Sequence, residues 1–347
     1  MNLSADRLRN LTTAVFQGAG CDAAEAARIA EHLVEANLVG HDSHGVIRVP
    51  SYVQWLRSGK VLANQKIDVT FENDVIAVVD GRFGFGQTIG EQAMQLGIDK
   101  CRKHGLAVVA LRNSGHLGRI GDWPLLAARA GLLSLHFVNT SGAGILVAPF
   151  GGITRRLSAN PIAAGVPIAG AAPIILDMSA CTIAEGKIRV ALNQGVPVAE
   201  NCIIDSQGKP TTDPRVFYAD PPGAILSIAG HKGYGLAVMC EVLAGALTGG
   251  GCSNPVNAGR VVNGMLSVFL DPARFQSDAA FTAEVNRFIE WVKSSEKATP
   301  DSQILMPGEI EARTKAKRLK GGIEIDETTW KQIVETAKIV GVLAQET

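Results

Sequence analysis

The sequence predicts an α/β fold in which helices from both ends of the chain form one unit around a central mixed-sheet domain. Apolar residues recur at helical spacing from Ser4 to Leu38, and again from Asp278 onward. Between these ends, from about Lys66, alternating and wholly apolar runs of strand length are separated by glycine and proline. At 347 residues, the chain holds two domains or one domain with a sizeable excursion. The expected division is 1–65 with 278–347 for the helical part, and 66–277 for the sheet.

The first helix is expected over 4–17, with Ser4 as N-cap, Asp6 in the first turn and a stop at Gly18 and Gly20. The second runs over 22–38, opened by a capping box of Asp22 and Glu25 and ended by Gly40. Then comes GHDSHGVIRVPSYVQWL, residues 40–56. Pro50 is excluded from a helix interior, so a third helix starts at 49–51 and runs to Leu56. His44 then lies in the loop before it, Arg48 at its mouth and Tyr52 in its first turns, and the three can face one cleft. IDVTFENDVIAVVDGRFGFGQ reads as strand, turn, strand and turn. A helix over 91–104, a buried strand over 106–113, a helix over 124–130 and a strand over 132–139 follow. The turn-rich region 140–220 carries short strands at 163–167, Ile174–Met178 and 201–204. GHKG at 230–233 opens a long apolar helix over 234–247, and 262–272 is another strand. The tail is helical apart from the loop ILMPGE, 304–309.

Thirty-three basic residues balance 33 acidic ones, which offers no electrostatic case for nucleic acid or an anionic membrane. The six cysteines show no CxxC spacing and read as free thiols in a reducing compartment. The N-terminus lacks a signal-peptide pattern, and the longest uncharged run, 161–176, contains Pro161, Pro167 and Pro173. The expectation is a soluble cytoplasmic enzyme. Its 38 glycines exceed the usual ~7% and suggest tight turns and close backbone approaches.

Several clusters carry chemistry. A histidine moves a proton near neutral pH, and an arginine fork holds a carboxylate. His44 with Arg48 therefore reads as an acid/base beside an anchor for a small organic acid. His41 and His44, with Asp42, are alternatively a metal pair, although no HExxH or second ligand cluster accompanies them. Gly81, Gly84, Gly86 and Gly90 follow a strand and precede a helix, as a dinucleotide turn would. The next strand, however, ends Leu111–Arg112–Asn113, without the ribose-binding carboxylate. Either Arg112 meets a phosphate there, or the glycines only admit a helix. In NSGHLGR, 113–119, Arg119 can neutralise a phosphate and His116 can donate a hydrogen bond or cap a turn. Lys232 before an apolar helix is an anion site or a solvated lysine. Asp177, in the apolar strand IILDMSA, needs a partner: an imidazolium that it orients, or a backbone N–H.

GHDSHGVIRVPSY, NSGHLGRIG, APFGG followed by ANP, LDMSA, GVPV, GHKGYGLA and LMPGE occur in that order. Together they resemble the malate/L-lactate dehydrogenase family that lacks a Rossmann fold, over about residues 5–340. Its 2-hydroxycarboxylate dehydrogenase members look nearest. The resemblance implies a non-Rossmann, L-sulfolactate dehydrogenase-like fold whose central domain binds NAD or NADP, with NAD favoured. It implies a homodimer in which both subunits contribute to each site, and hydride transfer between NAD(P) and a small 2-hydroxy or 2-keto acid such as malate or lactate. Alternatives are reduction of a cyclic imino acid or diketo acid, or a metal-dependent lyase or hydrolase using His41 and His44. By position, His44 matches the proton donor, Ser43 and Asp177 the groups that orient it, and Arg48, with Tyr52, the substrate side. His116 matches a histidine given the acid/base role in some members, so the two histidines compete. Cofactor contacts fall at Gly118, Arg119, Ile120, Asn160, Leu176, Met178, Ser179, Lys232, Pro307, Gly308 and Glu309. The family gives no phosphate role to the Gly84–Gly90 turn. Ala159 departs from the threonine that many members carry.

Overall fold

The structure, a computed structural model, describes residues 1–254 and 259–343. It opens on a strand absent from the sequence expectations, β1 (Asn2–Leu3). Helix α1 (Ala5–Gly18) starts where the Ser4 hydroxyl accepts from the Arg7 N–H, and it buries Leu8, Thr12, Val15 and Phe16. Asp22 caps α2 (Ala23–Leu38) by accepting from the Glu25 N–H. The reciprocal half of the expected capping box does not form. Asn64 takes its place: its side-chain oxygen accepts from the Asp22 N–H, and its own N–H donates to the Glu25 carboxylate. Helix α3 (Val49–Arg57) carries Pro50 in its first turn, where the missing N–H costs nothing.

The centre of the chain supplies β2 (Asp68–Glu72), β3 (Ile76–Asp80), α4 (Gly86–His104), β4 (Leu106–Ser114), α5 (Asp122–Arg129) and β5 (Leu133–Gly142). Next come β6 (Ile162–Val166), β7 (Ile174–Met178), α6 (Glu185–Gln194), β8 (Ile203–Ile204), β9 (Pro210–Thr211) and β10 (Ala224–Ile225). Helix α7 (His231–Cys240), β11 (Val261–Leu270), α8 (Asp278–Lys293), α9 (Glu309–Gly321), β12 (Ile323–Glu324) and α10 (Glu327–Ile339) complete it.

The main sheet has seven strands in the order β2-β3-β4-β11-β5-β6-β7. Only β3 and β4 run parallel, joined through α4; every other neighbouring pair is antiparallel. This mixed sheet is not doubly wound, in keeping with a non-Rossmann fold. The glycine run between β3 and α4 has a packing explanation. Helix α4 begins at Gly86, ahead of the expected 91, so Gly86 and Gly90 lie inside it. A Cβ at Gly86 would overlap the His116 carbonyl, and one at Gly90 would overlap the Trp123 indole. Glycine there lets α4 press against the 116–123 segment.

Helices from both ends share one apolar core, in which Phe16, Leu33, Val49, Tyr52 and Phe85 meet Ile323, Trp330 and Ile333. A second core joins α4 and α5 to the sheet through Ile89, Met94, Leu111, Trp123 and Phe269. The third was not foreseen. Val147, Ile188, Ile203, Phe217 and Ala237 pack α6 and the start of α7 against a small sheet ordered β10-β8-β9. The long helix expected over 234–247 is also corrected: α7 ends at Cys240 and passes into a π-helical turn, Glu241–Ala246. That turn begins where the Glu241 carboxylate points inward. It accepts from the Asn139 and Asn160 side chains and from both the N–H and hydroxyl of Ser253. Among the described residues no helix is long and apolar enough to cross a membrane.

Candidate active site

Two short 3₁₀ turns, Asp42–His44 and Val46–Arg48, link α2 to α3. Between them, a Cβ on Gly45 would overlap the Asn37 side chain, which grips the loop from inside α2. Asn37 accepts from the Val46 N–H at 2.8 Å and donates to Asp42 at 2.6 Å. Arg318 closes the other side of Asp42 with a fork of 2.6 and 3.0 Å. Arg48 Nε donates to the Ser43 carbonyl at 2.6 Å, and the Ser43 hydroxyl lies 3.1 Å from His44 Nδ1. A backbone this fully tied directs His44 and Arg48 to the same side.

His116 enters from the loop after β4 and stacks on His44, ring centroids 5.7 Å apart. Its Nδ1 is 2.6 Å from the hydroxyl of Tyr52, to which Gln87 Nε2 donates at 3.1 Å. Burial pushes His44 down to about 3, and the Arg48 charge adds to the effect. Burial, Arg48 and His44 in turn hold His116 well below the ordinary imidazole value. Burial raises Tyr52 to about 12. The site at neutral pH therefore presents a fixed cation, two neutral imidazoles and a neutral phenol. Such a set can hold a carboxylate and exchange a proton with a neighbouring hydroxyl or carbonyl oxygen.

Three expectations change here. Asp177, whose expected partner was an imidazolium such as His44 or a backbone N–H, takes the second: it accepts from the Gly121 N–H at 2.9 Å, and its charge faces Arg119 and His41. Among the described residues no hydrogen bond joins it to His44, whose ring is held by Ser43. Arg119, expected to be open to a phosphate, is buried; Asp122 takes its Nε at 2.9 Å and also meets His32 Nδ1 at 3.2 Å. Arg112 likewise pairs with Asp80 at 3.1 Å. Buried Asp177 and Arg119 each need a partner for the charge; Asp177 finds it in the Gly121 N–H, 56 positions away, and Arg119 in Asp122, three residues on. His41 faces Glu311 at 3.3 Å. Among the described residues, no group of three or more His, Cys, Asp or Glu side chains could hold a metal ion.

The other expected cofactor segments meet around β7. The Ile175 N–H donates to the Pro307 carbonyl at 3.1 Å, which lays the 304–308 loop along the strand edge. Gly308, at φ +95°, needs that freedom: a Cβ would stand 3.3 Å from the Ile175 nitrogen. Glu309 accepts from the Met306 N–H at 3.1 Å and pairs with Lys293. Beyond Leu176, Met178 and Ser179, the Ile228 N–H donates to the Ala180 carbonyl at 2.9 Å and brings in the start of α7. Lys232 is exposed there, on a helix end without a side-chain cap. Asn160 is fully buried with its amide N–H groups given to the Ala237 carbonyl and Glu241, while its side-chain oxygen has no partner among the described residues. Gly118 and Ile120 line the buried loop that reaches Asp177 through Gly121. The exposed Lys232 at the uncapped start of α7 and, at the other end of that helix, the orphaned buried acceptor of Asn160 are groups that would suit a dinucleotide carrying phosphates and amide donors.

Sequence reasoning missed Gln87 and the face of α9 that grips the histidine loop. Glu311 meets His41, Lys315 meets Glu35 and Arg318 meets Asp42. The i, i+4, i+7 spacing of these polar residues was visible, but their partners, some 270–280 positions away, were not.

The profile of the malate/L-lactate dehydrogenase family matches residues 3–334. The chain is 41% identical over 342 residues to hydroxycarboxylate dehydrogenase B of Escherichia coli (strain K12), spanning 97% of this chain and 94% of that protein. Among solved structures, a malate/lactate dehydrogenase from E. coli superposes with a TM-score of 0.95 at 40% identity, covering 100% of this chain and 96% of the other. Sulfolactate dehydrogenase from Methanocaldococcus jannaschii gives 0.87 at 35% identity, covering 99% and 98%.

Proposed function

We propose, from the premise that the chain belongs to the malate/L-lactate dehydrogenase family, that it interconverts a small 2-hydroxy acid and its 2-keto acid using a nicotinamide dinucleotide. The observation that carries this reading is the Arg48 charge bearing on two stacked, neutral imidazoles. The substrate carboxylate pairs with the Arg48 guanidinium, which sets the C2 oxygen toward the imidazoles. Bound along β7, the 304–309 loop and the start of α7, the dinucleotide supplies the hydride acceptor or donor.

The residues of this chain handle the proton. We assign it to His116, because Tyr52 holds its Nδ1 at 2.6 Å and leaves Nε2 uncommitted. Among the described residues the His44 ring is held by the neighbouring serine alone, with Asp177 engaged elsewhere. In oxidation His116 takes the C2 hydroxyl proton as the C2 hydride leaves; in reduction it returns the proton to the carbonyl oxygen. Arg119 is buried in its pair with Asp122 and Arg112 is drawn to Asp80 through Nε, which supports NAD over NADP.

Exposed Met239 on α7, Val242 and Leu247 just beyond it, and Phe288 and Trp291 on α8 support a homodimer that covers them. The six unpaired cysteines, five of them buried, suit a reducing compartment such as the cytoplasm. The test is a panel of lactate, malate, glycerate, ureidoglycolate and sulfolactate with NAD and NADP separately, followed by nicotinamide absorbance. A cyclic imino acid run in the reducing direction extends it. Turnover of at least one hydroxy acid, faster with NAD, is expected. No turnover of any of them with either cofactor refutes the reading.

A further inference from the structure

We infer that Gln87 is a positioning residue that acts through Tyr52 to select which ring nitrogen of His116 carries the proton. The inference rests on the assignment of the transferred proton to His116. Gln87 lies in the first turn of α4 and is fully buried, as is Tyr52 apart from about a hundredth of its surface. Its Nε2 donates to the Tyr52 hydroxyl at 3.1 Å, and that hydroxyl lies 2.6 Å from His116 Nδ1. Its Oε1 is buried with no hydrogen-bond partner among the described residues. Gly118 makes room for the amide, since a Cβ there would stand 3.1 Å from Gln87 Nε2.

A phenol owns one hydrogen, so the two contacts of Tyr52 are linked. While Gln87 donates to the phenol oxygen, the phenol hydrogen points at His116 Nδ1, and the neutral imidazole keeps its hydrogen on Nε2. In that form the ring can give a hydrogen bond to a carbonyl oxygen but has no Nε2 lone pair to accept a hydroxyl proton. A half-turn of the Gln87 carboxamide presents Oε1 to Tyr52 instead. The phenol hydrogen then goes to Gln87, Tyr52 accepts from Nδ1–H, and Nε2 becomes a base. The ring hydrogen changes place by exchange with water, which takes one from Nε2 as Nδ1 gains one, so no proton is gained or lost overall. An amide has both a donor and an acceptor for this position; a hydrocarbon has neither, and a carboxylate has only the acceptor. The unpartnered Oε1 is the group that the second orientation uses.

The test reads the tautomer directly by ¹⁵N shifts of labelled histidine. With seven histidines in the chain, the His116 signals can be identified by their loss in His116→Asn. The free protein should show His116 mainly as the Nε2–H form. Gln87→Glu should move it toward Nδ1–H, and Gln87→Leu or the closer-shaped Gln87→Met should leave a mixture. Unchanged His116 shifts in all three variants overturn the inference. In turnover of whichever hydroxy acid the panel identifies, Gln87→Leu should lower kcat about tenfold with KM moved less than about twofold. In a Tyr52→Phe background the same substitution should have no further effect. A full additional loss there would mean that Gln87 acts by another route and also refutes it. If the unaltered enzyme turns over nothing on the panel, the dehydrogenase reading fails by itself, and the tautomer measurement still decides the role of Gln87.

Discussion

The imidazoles of His44 and His116 lie face to face, with planes 13° from parallel and centroids 5.7 Å apart. The charge of Arg48 bears on both. Two imidazolium ions at that spacing beside a guanidinium would repel strongly, so the pair takes up at most one proton in the working range.

Which ring carries it is decided by paired variants. His116→Asn should lower kcat by ~10²–10⁴-fold while the affinity for the reduced dinucleotide, read by its fluorescence, stays within about twofold. His44→Asn should cost less. The reverse order would transfer the acid/base role to His44.

Arg48 should couple substrate binding to the basicity of the pair. Its charge lowers both imidazole pKa values, so a bound carboxylate that neutralises it raises them. The acid limb of the kcat profile, which reports the bound complex, should therefore lie at higher pH than that of kcat/KM. Arg48→Lys should raise KM about tenfold by losing the forked contact. Coincident acid limbs, or an unmoved KM, would remove Arg48 from the anchoring role.

His136 should contribute to acid sensitivity of the fold. It is buried in the sheet with Nδ1 2.9 Å from the Ser267 hydroxyl and Nε2 2.9 Å from that of Ser134, and burial lowers it from 6.5 to about 3. The unfolded chain binds this proton below about pH 6.5 and the folded protein does not, so stability is complete above that pH and falls toward pH 3. The slope is about 1.4 kcal/mol per pH unit for this group. His44 and His116 add slopes of the same sign. In urea titrations between about pH 6 and 4, His136→Asn should reduce the slope by one proton. An unchanged slope would show that His136 is protonated in the fold.

Helix α9 offers a test of loop positioning. It buries no residue, yet Arg318 forks Asp42 and Glu311 meets His41. Arg318→Ala should lower kcat about tenfold through misplacement of His44 and Arg48, with little change in melting temperature. A large drop in melting temperature with kcat preserved would make α9 a structural brace.

The features legible from sequence were those whose cause is local. Ser4 and Asp22 marked their helix starts because a cap acts on an N–H within three residues, and Pro50 marked the third because its ring restricts its own backbone. Strand Ile174–Met178 was readable from its apolar run. The motifs around His44, Arg48 and His116 named a small-acid site and pointed to the family, since each is short and contiguous. The tertiary structure alone decided what each polar group touches. It gave Asp177 to the Gly121 N–H, Glu25 to Asn64 and Tyr52 to both Gln87 and His116. It also turned the end of α7 into a π turn around a buried Glu241. A buried charge or hydroxyl must find a partner, but nothing in its own neighbourhood says which one. Strand order and helix packing choose it, by bringing together residues tens to hundreds of positions apart.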